Sequence, residues 1–219
     1  MALKIPIIIV CVLTVLALGG WYLVPKFLEQ PSYKVLLKDG NIEIRQYDRI
    51  LLQSVKVRGD QYQSIRQGFR PLVRFIGGKD RDGDKISMTA PVIQSAGDNE
   101  GDWVISFSMP SKYDKTNLPA PQDSSIYTED LESMTAAVIR FSGKANEQML
   151  RDKTKTLLQW LEQASYTVQS KPKYLFYNDP STPGFLRRNE VMVQVNSCSA
   201  VRQRNNQTSA FALRPTLIP

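Results

Sequence analysis

Histidine does not occur among the 219 residues. Its absence removes the general base of Ser-His-Asp and Cys-His hydrolases and the commonest ligand of zinc sites. Cysteine is almost as scarce. Cys11 lies in an apolar N-terminal run and Cys198 in a polar tail, so no structural disulfide is expected and the redox compartment stays open. A calcium loop is missing too. Asp80, Asp82 and Asp84 begin like one, but Lys85 stands at the sixth position in place of glycine and Pro91 at the twelfth in place of glutamate.

Concentrated charge is also lacking. The net charge is +7, of which residues 1 to 32 contribute +1 (Lys4, Lys26, Glu29) and the tail from Asn196 contributes +3 (Arg202, Arg204, Arg214). The remaining +3 is 23 basic against 20 acidic residues, spread over the whole middle of the chain. A nucleic-acid binder gathers its excess on one face with aromatics interleaved, so no nucleic-acid partner is expected. A hydrophobic content of 42% and a charged content of 22% suit one globular domain with extensions.

One long hydrophobic run is present. From Ile5 to Pro25 no side chain is charged, and twenty helical residues span about 30 Å, the thickness of a bilayer's hydrocarbon core. Trp21 and Tyr22 suit the interfacial belt and Lys26 the head groups. Residues 1–25 are therefore expected to be a transmembrane anchor, with membrane contact through residues 5–25 and the domain outside the cytoplasm. The alternative is a cleaved secretory signal that leaves a secreted or periplasmic protein, since Lys4 makes a short basic n-region and Ala17-Leu18-Gly19 offers a small-residue cleavage site.

Residues 26–40 read as a linker bracketed by Pro25 and Pro31, and residues 41–195 as the domain. Ile42 to Tyr47 and Leu51 to Val57 alternate like strands and are expected to pair as a hairpin. Asp60 is placed to cap a helix whose apolar positions are Ile65, Phe69, Leu72, Val73 and Ile76, with Pro71 expected to kink or interrupt it. Lys85 to Gln94 follows as a strand on which Ile86, Met88 and Ala90 share a face, and Trp103 to Met109 as another. Then come a proline-containing loop from Pro110 to Pro121, a strand from Ala136 to Phe141 and a second helix from Lys144 to Ala164. Strands near Lys173 to Tyr177 and Glu190 to Val195 close the domain, and disorder is expected from 196 to 219. The order strand, strand, helix, strand, strand thus recurs at an offset of about 90 to 100 residues, without visible sequence identity.

Four stretches in order resemble the SOUL, or haem-binding, protein family. They are Ile42-Glu43-Ile44-Arg45-Gln46-Tyr47; Gly68-Phe69-Arg70-Pro71-Leu72 with Phe75-Ile76-Gly77-Gly78; Lys85-Ile-Ser-Met-Thr-Ala-Pro-Val92; and Tyr177-Asn178-Asp179-Pro180 through Arg187-Arg188-Asn189-Glu190-Val191. The resemblance implies an α+β fold, a distorted antiparallel β-barrel built from two similar ββαββ halves with one main helix each. It implies a non-catalytic domain that holds haem or a related tetrapyrrole in a hydrophobic groove beside the first helix. Carried over by position, the groove residues are Arg66, Phe69 and Val73.

Without histidine, a bound iron would be ligated by Tyr, Met or Cys, or the macrocycle held by packing and propionate contacts alone. Tyr47, Tyr174 and Tyr177 are the candidate phenolates, and Met88 and Met109 either face the ligand or fill core gaps. Each site residue also has a plain structural role open to it. Phe69 and Val73 lie on the stripe any amphipathic helix buries, Arg66, Arg70 and Arg74 are spaced as a solvated face, and Arg187, Arg188 and Glu190 suit an ion pair locking the last strands. Two rivals to ligand binding remain. In one, the groove receives a protein or lipid partner and haem affinity is incidental; in the other, Glu43 and Glu190 act as catalytic acids, though they belong to no recognisable catalytic pattern.

Overall fold

The computed structural model describes residues 28–79, 81 and 83–197, with residues 9, 12–14 and 19 of the N-terminal segment. Strand β1 (Tyr33–Asp39) turns at Gly40, whose φ of 56° lies in the left-handed region, into β2 (Ile42–Tyr47). Then follow β3 (Ile50–Arg58), helix α1 (Gln61–Ile76), β4 (Val92–Ala96), β5 (Asp102–Ser108), β6 (Ile126–Leu131) and β7 (Met134–Phe141). Helix α2 (Glu147–Gln163), β8 (Tyr166–Val168), β9 (Lys173–Phe176), a 3-10 turn (Gly184–Leu186) and β10 (Asn189–Ser197) complete the domain. Apart from the flanking β1 and β8, this is the ββαββ unit twice, in an α+β fold as expected.

The strands form one antiparallel sheet in the order β1-β2-β7-β10-β9-β4-β5-β3-β6, with β8 on β10. The expected barrel is corrected here: among the described residues no ladder joins the two ends, so the sheet is not closed. Nor do β2 and β3 form a hairpin. β2 pairs with β1 and β7, and β3 pairs with β5 and β6, so the two-residue link Asp48-Arg49 passes between halves. Both edges of β2 are already satisfied by β1 and β7, which leaves no ladder for β3. The first strand of each half is therefore lent to the other: β2 lies on β7, and β6 lies on β3.

Both helices lie on one face of the sheet. α1 packs on β3 and β5 through Leu72, Phe75, Ile76, Ile105 and Phe107, and α2 packs on β7 and β10 through Leu150, Leu157, Leu161, Ile139 and Val193. The opposite face holds a third cluster that includes Tyr47, Leu52, Ile93, Met134, Leu175 and Met192. β4 and β9, paired at the centre, run between the two helices, and Val92 and Tyr174 on them are only half-buried.

Three other expectations change. The segment read as a linker holds β1 from residue 33; Leu28 packs against the third cluster, and Ala90 donates its backbone N–H to the Glu29 carbonyl at 2.9 Å. The strand expected from Lys85 begins only at Val92, because Pro91 has no donor and Thr89 instead bonds the Ser108 carbonyl through its hydroxyl at 2.5 Å. Pro71 does not interrupt α1, which runs unbroken for 16 residues. No helix among the described residues is long and apolar enough to cross a membrane; most of the segment read as an anchor, and the tail beyond Ser197, lie outside the described residues.

Candidate ligand-binding site

α1 begins as its sequence dictates. Asp60 Oδ1 accepts from the N–H groups of Tyr62 at 2.9 Å and Gln63 at 2.8 Å, satisfying two donors that the helix cannot. Gly68 sets how closely the helix sits on the sheet. A Cβ there would lie 2.5 Å from Ile105 Cγ1, so only glycine lets the backbone approach β5 this far.

On the flank of α1 beyond that contact lie Phe69 and Val73, one turn apart and half-buried against the core. Phe69 meets Phe107 edge-on with centroids 5.2 Å apart, and Phe107 is the cross-strand neighbour of Val92 on β4. Arg66 is exposed on the same flank. The structure thus brings the three expected residues to one surface beside β4. Arg70, Pro71 and Arg74, with Gln122 and Asp123, line a separate shallow cleft of about 520 Å3.

The candidate iron ligands separate as well. Met109 is buried in the core under α1, whereas Met88 is exposed. Tyr47 and Tyr177 belong to a different structure, a charged network on the sheet face away from the helices. Arg45, 1% exposed, donates from Nη1 to Glu190 Oε2 at 2.9 Å and from Nη2 to Oε1 at 3.1 Å, while its Nε bonds Glu43 Oε2 at 2.8 Å. Arg188 donates to Glu190 Oε1 at 2.8 and 3.0 Å, and the Tyr177 hydroxyl donates to Glu190 Oε2 at 2.9 Å. The Arg188 guanidinium also stacks 3.7 Å from the Tyr177 ring centroid, and Arg45 lies 4.3 Å from that of Tyr33.

Electrostatics explain why these charges persist in the interior. Burial alone would raise the Glu190 carboxyl, but the Arg45 hydrogen bonds and the charges of Arg45 and Arg188 outweigh it and hold the group below its ordinary range. Burial pushes the Tyr47 phenol up to about 12 and Tyr177 well above its usual value, the nearby Glu190 charge adding to both. The rise makes a phenolate harder to form at either than at an ordinary tyrosine. Arg187 stands apart and donates to the carbonyls of Thr182, at 2.7 Å, and Pro180. The ion pair expected at the end of the domain therefore exists, but it is formed by Arg188 and Glu190 with Arg45. The sequence offered one signal for Arg45: it alternates with Glu43 and Tyr47 on the strand face opposite Ile42 and Ile44. Among the described residues, no group of acids, cysteines or histidines is arranged to hold a metal ion.

A duplicated α+β domain with one helix per half and strands exchanged between halves defines the structural class. Solved structures share it: the C-terminal domain of EcmrR matches with a TM-score of 0.55 at 15% identity over 76% of this chain and 99% of that one. A hydrolase from Listeria innocua matches with a TM-score of 0.50 at 12% identity over 74% of this chain and 94% of that one. At such identities the likeness concerns the fold alone. In sequence, the family model described as SOUL heme-binding protein matches residues 28–194, and the chain belongs to that family. Heme-binding protein 2 of Mus musculus is 31% identical over 186 residues, covering 78% of this chain and 89% of that protein. Heme-binding protein 2 of Homo sapiens is 32% identical over 165 residues, covering 72% and 80%.

Proposed function

We propose that the chain binds haem, or a related flat tetrapyrrole, on the surface between α1 and β4, without catalysing a reaction. The observation that carries the proposal is the half-burial of Phe69 and Val73 one turn apart, with the Arg66 guanidinium exposed on the same flank. Two partly buried apolar side chains in line offer a flat macrocycle a surface to cover. A guanidinium beside them suits a propionate through a bidentate contact. The residues present fit the group in this respect, and the haem supplies only its own iron and ring. Iron ligation by histidine is excluded by composition, so binding rests on packing, propionate contacts and at most a Tyr, Met or Cys ligand.

The test is a titration of the protein with ferric protoporphyrin IX, followed by the Soret band and tryptophan quenching. Wild type saturates, and Arg66→Ala with Phe69→Ala weakens binding at this flank by about tenfold or more, on the order of 1.4 kcal/mol. Unchanged affinity in a folded double variant would move the site elsewhere.

We infer in addition that residues 5–25 anchor the domain to a membrane, with the domain outside the cytoplasm. In support, Ile9, Val12 and Leu13 are helical and expose 53%, 51% and 60% of their surfaces, an apolar display that water disfavours and lipid accepts.

A further inference from the structure

A shift of 89 positions lines up buried residues of the two helices. Advancing 89 positions takes Gly68 and Leu72, which α1 buries against its half, to Leu157 and Leu161, which α2 buries against the other. The same step takes Arg66 to Lys155, Phe69 to Leu158 and Val73 to Glu162. The flank of α2 thereby answers to the flank of α1 on which haem is proposed to sit. Here the structure holds a shallow, open hollow of about 390 Å3, lined by Arg151, Lys155, Leu158, Glu162 and, from β9, Tyr174, among others.

Its chemistry is that of an amphipathic receptor. Leu158 is 37% exposed, which is high for a leucine on a packed helix, and Tyr174 is half-buried beside it. Lys155 and Arg151, one turn apart, place two cations at one end. Arg151 is ion-paired with Glu147, while no ion pair among the described residues engages Lys155. At the other end Glu162 stands where α1 has Val73, so the hollow is cationic at one end only.

We propose that this hollow is a second binding site, for a flat apolar molecule with an acidic group at one edge. The apolar body covers Leu158 and Tyr174, the acid meets Lys155 with Arg151, and Glu162 repels a ligand entering in the reverse sense. The proposal extends the reading of α1 to the second half, but it rests also on the hollow itself.

The test uses the full chain and ferric protoporphyrin IX as the probe, with circular dichroism to check each variant. Phe69→Ala with Arg66→Ala retains saturable binding at the α2 site, and adding Leu158→Glu or Lys155→Glu weakens that binding by about tenfold or more. Leu158→Ala, a milder change, serves if the glutamate variant does not fold. Unchanged binding in the Leu158 and Lys155 variants overturns the second site. Loss of all binding in Phe69→Ala with Arg66→Ala likewise leaves α1 as the single site. If instead those α1 changes have no effect and Leu158→Glu abolishes binding, the α1 reading fails and the second site stands. A wild type with no saturable binding overturns both.

Discussion

Arg45 and Glu190, 145 positions apart in sequence, meet through two hydrogen bonds of 2.9 and 3.1 Å in the interior of the domain. One comes from the second strand and the other from the last, and neither strand touches the other in the sheet. β7 lies between them, so the pair spans a strand.

Removing one member of this pair is expected to be severe. Glu190→Gln takes the carboxylate from Arg188 and leaves Arg45 with Glu43 alone, a loss of about 3–5 kcal/mol by analogy with other broken buried pairs. Tyr177→Phe removes a single hydrogen bond to the same carboxylate and costs less, about 1.5–3 kcal/mol. Urea denaturation of both variants checks the order; equal losses would mean that the charge on Glu190 contributes nothing special.

The same carboxylate makes stability depend on pH in the acid range. Its folded value lies below the ordinary 4.5, so below 4.5 the unfolded chain takes up its proton first and stability falls as pH falls. The contribution is complete above that range and gone once Glu190 is protonated in the folded chain too. The stability gap between wild type and Glu190→Gln therefore narrows on acidification from pH 5. A gap that stays constant from pH 6 to pH 3 would contradict the assignment.

Gly68→Ala tests how closely α1 sits on the sheet. In an open helix alanine would gain about 1 kcal/mol over glycine, but here its methyl group would lie 2.5 Å from Ile105 Cγ1 and 2.6 Å from Ile105 Cβ. A net loss of about 1–3 kcal/mol is expected, as for other overpacked cores. Thermal unfolding measures it, and Ile105→Ala in the same chain should recover part of the loss introduced by the methyl group.

The N-terminal segment has a simple biochemical test. The full chain should remain in the membrane fraction after a high-salt or alkaline carbonate wash. Release into the soluble fraction would mean cleavage or peripheral attachment.

The helices were legible because their signals are local. Asp60 caps α1 as its position ahead of the apolar stripe suggests, and Leu150, Leu157 and Leu161 mark the buried side of α2. β1 was missed because all seven of its residues are exposed, so no burial imposes the two-residue period that identifies a strand. β6 was missed because Thr128, Glu129 and Asp130 place polar groups on both of its faces. The exchange of β2 and β6 had no sequence signal at all: a two-residue link between strands reads as a hairpin whichever partner each strand takes. At the candidate site the family resemblance singled out Arg66, Phe69 and Val73, which share one flank of α1. The sequence could not reveal that Arg45 is wholly buried, because an alternating strand looks the same whether one face or both are covered.

The exchanged strands also govern the order in which the chain can be completed during synthesis. Ile42 takes its place beside Ile139, and Tyr47 beside Met134, so β2 emerges from the ribosome long before β7, one of its two neighbours, exists. β2 must therefore stay soluble beside β1, with one edge open, until β7 has been made.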